Sequence, residues 1–286
     1  MMNRKLGFFS LLIAAAAYGS YGVLVRTLSL QLTAFQQILF RYAFAIVIAL
    51  AIFLISRKAL KAPQASGRNI LLFSACVPLS ILFYTAAVLN TKIAVATFAL
   101  YVGSVLFSAV LGRVFFKEAV TIRGVISLVL VIIGVGFFAY PFAGINIGLV
   151  AGLASGFFDS AANGLRKSFS GATDRLMIVL VTSLSGAIAA AILILASRQP
   201  IAFVSGLSPA IWLAGLVFGI MLFANNYLLL VGFQNFELTP GTIVLSSELL
   251  FATIFGAIFL GEMLTKMEII GGILIGCAVL LPNLKK

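Results

Sequence analysis

Charge is scarce in this chain. Only 9% of its 286 residues are charged, against roughly 25% in a soluble domain. Acids are scarcest, seven Asp and Glu beside nineteen Lys and Arg. Histidine is missing altogether, which removes the commonest metal ligand and the usual proton shuttle. The two cysteines, Cys76 and Cys277, lie inside apolar segments without partner spacing, so neither a disulfide framework nor a metal site is expected. An enzyme working inside a membrane needs a nucleophile with a base, or a metal cluster. Scattered acids and two isolated thiols offer neither, so no enzymatic activity and no cofactor are expected. Long linkers are lacking too. The longest, about Arg57 to Arg68 and Ala196 to Ser208, are too short for an attached soluble domain.

Apolar residues fill the space that charge leaves. They make up 63% of the chain, and the mean hydropathy is +1.21. The alternating ten-residue pattern of a membrane β-barrel is absent. Apolar runs fall at 6–25, 33–55, 69–90, 94–116, 121–140, 144–167, 174–196, 209–233, 240–260 and 266–284. Most are near the roughly 20 residues needed to cross a bilayer. The pattern predicts an all-α polytopic membrane protein of about ten transmembrane helices. The formal net charge of +12 would suggest nucleic acid in a soluble protein. Here the cations stand between apolar runs, which ties them to orientation in the bilayer.

The chain repeats itself. Thr97 to Thr121 reads TFALYVGSVLFSAVLGRVFFKEAVT, and Gly241 to Thr265 reads GTIVLSSELLFATIFGAIFLGEMLT. At an offset of 144 residues Phe107 falls on Phe251, Gly112 on Gly256, Phe115 on Phe259 and Glu118 on Glu262. At an offset of 140 residues Ser20 matches Ser160, Arg26 matches Arg166 and Thr33 matches Thr173. Asn3-Arg4-Lys5 before an apolar run and Ala14 to Ala17 resembles a cleavable signal. Its echo in the sixth run predicts instead that it stays as a helix. Two units follow, 1–140 and 141–286, of five helices each. An odd count makes the second unit enter the membrane from the opposite side, an inverted-topology pair. Loop charge fits this. With the N-terminus in the cytoplasm, inner segments hold Arg4, Lys5, Arg57, Lys58, Lys61, Arg68, Arg113, Lys117, Arg123, Arg166, Lys167, Arg175, Lys285 and Lys286. Outer segments hold only Arg26, Lys92, Arg198 and Lys266, so both termini are expected inside.

The ends of the fourth and ninth runs carry a family pattern. An apolar run closes on Glu, with Thr three residues on and small residues roughly nine and sixteen after the Glu. These are Glu118, Thr121, Ser127 and Gly134, then Glu262, Thr265, Gly271 and Ala278. With Arg41 in FRYAFA, the chain resembles the drug/metabolite transporter superfamily, in particular its EamA-type ten-helix members. The resemblance implies a secondary transporter of the bacterial inner membrane, with export of amino acids or related metabolites as a common activity. One departure stands out. Family members often carry Pro about fourteen residues before the closing Glu, whereas this chain has Ser104-Val105 and Glu248-Leu249, which leaves the bend of both helices open. The smaller multidrug relatives use a Glu in the first helix; this first helix has no acid.

Ionisable side chains at membrane depth are expensive and face a partner or a wet cavity. Arg41, Asp159 and Glu248 stand at such depth, and Asn163 and Arg166 share a helix face with Asp159. An Asp159–Arg166 contact is one expectation, and an acid or helix-end carbonyls beside Arg41 is another. Glu118 and Glu262 read as helix-end residues that cap neighbouring helices. The fourth run has a polar stripe of Thr97, Tyr101, Ser104 and Ser108, with Gly112 beyond. Its twin is Gly241, Leu245, Glu248, Ala252 and Gly256. Repeat-related, the two stripes are expected to meet at a midplane cavity, although hydroxyls can also bond back to their own helix. The candidate substrate-binding set is Tyr18, Tyr21, Tyr84, Tyr101, Ser104, Asp159, Asn163, Asn225, Asn226, Ser247 and Glu248. Small-residue spacing at Gly148, Gly152 and Gly156, at Gly215 and Gly219, and at Gly272 and Gly276 predicts close helix crossings.

A cavity of this composition suits small amphipathic metabolites, neutral or aromatic amino acids first among them. Phosphorylated solutes want several cations, and only Arg41 is clearly at depth. The expected partners are the lipid bilayer and a small-molecule substrate, with coupled protons open and no nucleic acid. The alternatives are a broad-specificity drug/metabolite or nucleoside-type permease, or a passive pore.

Overall fold

Outward-facing apolar side chains frame this bundle. In the computed structural model, which describes residues 3–56, 66–91, 93–119, 121–138, 146–169, 175–200, 204–261 and 265–281, large aliphatic side chains such as Leu54, Ile55, Leu71 and Ile122 lie on the outer surface. A contiguous apolar surface on this scale is a lipid-facing one. Every regular element among the described residues is a helix, because in lipid each span must satisfy its own backbone.

The helices of the first half are α1 (Arg4–Leu28), α2 (Ala34–Ser56), α3 (Gly67–Asn90), α4 (Ile93–Phe116) and α5 (Ile122–Phe138). The second half has α6 (Ile147–Ser168), α7 (Arg175–Ala196), α8 (Pro209–Asn235), α9 (Leu238–Leu245), α10 (Glu248–Leu260) and α11 (Lys266–Leu280). Among the described residues seven spans are long and apolar enough to cross a bilayer, with Leu238–Phe259 counted as one across α9 and α10. Helix α5 is shorter but apolar. Helix α6 is less apolar than the other long spans because it carries Asp159, Asn163, Arg166 and Lys167. It can do so because one face is turned into the bundle, where Ser155, Ser160, Asn163 and Arg166 are buried.

The ninth run is broken where the sequence places two serines. Ser246 and Ser247 have φ/ψ of −62/−16 and −63/−9, closer to a 3₁₀ turn than to an α-helix. Their hydroxyls bond back to Ile243 O and Val244 O, both at 2.7 Å. The Ser247 and Leu249 amides bond three residues back, to Val244 O and Ser246 O. Local side-chain bonds of this kind compete with the helical ladder, so the break forms without proline. Helix α4 keeps its full length, and so the two repeats differ here.

Packing follows the repeat. Helix α6 lies on α3 and α4, and its counterpart α1 lies on α8 and on α9 with α10. Helix α2 meets α7, and α5 meets α11, each pairing with its own twin. This is a 5+5 inverted repeat of about ten helices. Glycine sets the closest crossings. A Cβ on Gly156 would lie 2.3 Å from Leu100 O, and one on Gly103 would lie 2.6 Å from Leu153 O. Gly152 and Gly148 meet Ala99 and Thr91 as closely, while Gly215 receives the Phe40 ring and Gly219 the Phe44 Cβ. Gly272 abuts Leu250, but nothing lies within 4 Å of a Cβ on Gly276. The expected close crossing therefore fails at Gly276, which faces open space.

Candidate functional site

The glycine crossing of α4 on α6 brings the two backbones close enough for Ser104 Oγ to donate to Asp159 Oδ2 at 2.7 Å. Asp159 Oδ2 also accepts from Asn163 Nδ2 at 3.1 Å, one helical turn on. Arg166 donates to Asn163 Oδ1 and lies over the Phe73 ring at 5.2 Å. The expected Asp159–Arg166 contact is thus relayed through Asn163.

Across the bundle, the Tyr101 hydroxyl donates to Glu248 Oε2. Glu248 opens α10 immediately after the serine break, which turns it toward α4. Tyr84 and Thr97 share a hydrogen bond of 2.9 Å, joining α3 to α4. Between these groups lies a cavity of about 190 Å³, lined by Tyr18, Tyr84, Thr97, Leu100, Tyr101, Ser104, Asp159, Thr242, Leu245 and Glu248. Both repeats contribute to it, the first through α1, α3 and α4, the second through α6, α9 and α10.

Of the residues selected from sequence, Tyr18, Tyr84, Tyr101, Ser104, Asp159 and Glu248 are brought to this cavity. Five are not. Asn163 supports Asp159 from behind. Tyr21 packs against Tyr18 and Phe218, with ring centroids 5.1 Å and 4.6 Å apart. Asn225 is fully buried in α8, and neither amide atom bonds to a described residue. Asn226 turns its amide back to Leu222 O, and Ser247 is spent on Val244 O. Asn226 and Ser247 were taken by carbonyls of their own chain segment, Asn163 by Asp159, and Tyr21 by a ring of α8. Leu100, Thr242 and Leu245 line the cavity without having been singled out for it. Leu245 stands on the twin stripe, but an aliphatic side chain or a Thr that also bonds Leu238 O looks no different from ordinary packing. Thr97 was flagged by its stripe alone.

Arg41 corrects another expectation. No carboxylate pairs with it among the described residues, and its Nε has no hydrogen-bond partner. Its guanidinium sits instead over the rings of Phe218 and Tyr42, at 5.0 and 5.9 Å, a cation–π arrangement.

Below the cavity the fourth-helix stripe ends in a cap. The Glu118 carboxylate accepts from the backbone amides of Leu238 and Thr239 at the start of α9. Lys167 Nζ stands 3.6 Å from Glu118 Oε1 and donates to Phe236 O at 2.7 Å. Acids belong at helix N-termini, whose first amides have no internal partner. Gly112 makes this possible, since a Cβ there would fall 2.6 Å from Glu118 Oε2. The twin acid, Glu262, lies outside the described residues.

An inverted pair of five-helix units enclosing a polar site at their interface defines a membrane transporter of the drug/metabolite kind. The EamA-like transporter family model matches residues 5–140 and again 144–284, and the chain belongs to that family. Twenty-nine solved chains are similar. One of them, titled only "Crystal structure of protein", superposes with a TM-score of 0.83 at 13% identity, over 98% of this chain and 97% of that one. At that identity the likeness is one of fold. A search of curated proteins finds no match.

Proposed function

We propose that this transporter is a secondary carrier of small amphipathic metabolites, working by alternating access around the cavity between its two repeats. The observation that carries the proposal is the cavity's parentage: the second repeat supplies both membrane-depth acids, Glu248 and Asp159, while the first supplies Tyr101 and Ser104 that hold them. Rocking one half against the other therefore remakes the site's own hydrogen bonds.

A difference between the halves supports movement. At one end of the bundle Arg175 Nε donates to Gln234 Oε1 at 3.1 Å, and Gln234 Nε2 donates to Phe169 O at 3.1 Å. Arg175 also reaches the Tyr227 hydroxyl at 3.3 Å. These bonds tie α6, α7 and α8 together. The repeat-equivalent of Gln234 is Asn90, whose amide, among the described residues, bonds to Ala86 O of its own helix. The two ends of the bundle are thus tied unequally, as alternating access would require.

The proposed setting is the bacterial inner membrane, with both termini cytoplasmic and domains at 1–140 and 141–286. Export of neutral or aromatic amino acids remains the finer version of the proposal. Tyrosines and acids suit the ring and the amino group of such a solute. A drug permease is less favoured, since 190 Å³ is below the roughly 300–1,000 Å³ of drug-sized sites. Counterflow in proteoliposomes against a panel of amino acids, amines and nucleosides tests the carrier. Saturable trans-stimulated uptake supports it; linear, unsaturable flux indicates a pore and defeats it.

A further inference from the structure

We infer that the central cavity takes hold of its solute through an ammonium group, so that small organic amines are preferred over zwitterions and anions. This rests on the carrier proposal above and, for the same site, sets amines ahead of the amino acids named there, because the lining offers an amino acid's carboxylate no partner. The lining holds two carboxylates, Glu248 and Asp159, and no lysine or arginine. The nearest counter-charges stand outside the lining: Arg166 reaches Asp159 only through Asn163 and lies over the Phe73 ring, and Arg41 lies over the rings of Phe218 and Tyr42. A solute carboxylate entering this space would meet like charge and no partner, and burying an unpaired ion is costly.

The acids themselves are only half satisfied. Tyr101 donates to one oxygen of Glu248, and Ser104 and Asn163 both donate to the same oxygen of Asp159. Glu248 Oε1 and Asp159 Oδ1 take no hydrogen bond from a described residue. A primary ammonium has three donors and no acceptor, which is the complement of what these oxygens lack. The tyrosine rings add a cation–π wall, and their hydroxyls take further N–H groups. A volume of about 190 Å³ limits the solute to a single ring or a short chain.

The test uses the purified full-length protein and three probes of matched shape: 2-phenylethylamine, phenylalanine and 2-phenylethanol. Binding is measured by calorimetry for the native chain, Glu248→Gln and Asp159→Asn, each checked for unchanged thermal unfolding. The amine is expected to bind about tenfold or more tightly than either other probe, a charge-assisted contact's worth. Each variant should lose about tenfold in amine affinity while holding the alcohol within about twofold. If one variant does not fold, the other and Tyr101→Phe, which weakens the grip on Glu248, carry the comparison. An amine that binds no tighter than the alcohol overturns the inference, as does an amine-to-alcohol ratio unmoved in the variants. So does failure of all three probes to bind. Saturable counterflow of phenylalanine with the amine excluded would overturn it while leaving the carrier intact.

Discussion

Replacing Gly156 by alanine should damage both the fold and the site, because one methyl group would stand where α4 passes α6. The new Cβ would lie 2.3 Å from Leu100 O, 2.5 Å from Ser104 N and 2.8 Å from Gly103 C. All three are backbone atoms and cannot swing aside. Restoring ordinary contact, which begins at 3.4 Å, requires the helices to part locally by about 1 Å. The Ser104–Asp159 bond, 2.7 Å long at this crossing, would then stretch beyond hydrogen-bonding range. Overpacking costs about 1–3 kcal/mol, and losing a bond to a charged group adds about 1.5–3 kcal/mol. A total of about 2.5–6 kcal/mol is expected. Equilibrium denaturation in mixed micelles measures it, and counterflow should fall in parallel. Gly276→Ala is the control. Nothing lies near that position, so stability should hold or rise by up to about 1 kcal/mol from helix propensity. Equal stability of the two variants would refute the reasoning.

Glu118→Ala strips the cap from α9 and leaves Lys167 without its acid; a loss of about 1.5–3 kcal/mol in the same denaturation assay is expected, and Glu118→Gln should recover part of it. Arg175→Ala with Gln234→Ala should release the α6–α7–α8 tie and shift the balance of states, read as a changed ratio of labelling from the two faces of the membrane. Reporter tags at either end of the chain should both be protected in right-side-out vesicles and both exposed in inverted ones; opposite behaviour would break the inverted pairing.

The spans and their repeat were legible because lipid leaves a helix no alternative and marks each span by its apolar length. The α4–α6 crossing was legible in part, since Gly148, Gly152 and Gly156 recur on one face. The break at Ser246–Ser247 was not. A serine hydroxyl bonds back to its own helix whether the ladder continues or stops, as Thr253 does within α10 at 3.1 Å from Leu249 O. Glu248 and Asp159 announced themselves as acids at depth. Tyr101 and Glu248 stood on the two stripes expected to meet, and they do; the Ser104–Asp159 bond could not be read, because it depends on how closely α4 crosses α6. Arg41 misled for the same reason. Its rings come from its own helix and from α8, and a cation over aromatics leaves no acid in the sequence to point to.

The central claim, one site built from both repeats and shown to each side in turn, is tested most directly by a single thiol in its wall. Leu100→Cys lines the cavity and, with Cys76 and Cys277 replaced by alanine, would be the sole target for an impermeant maleimide in oriented vesicles. Labelling from either face is expected, with a transported solute shifting the ratio between them. Reaction from one face alone under every condition, or from both with a ratio no solute can move, would contradict the account.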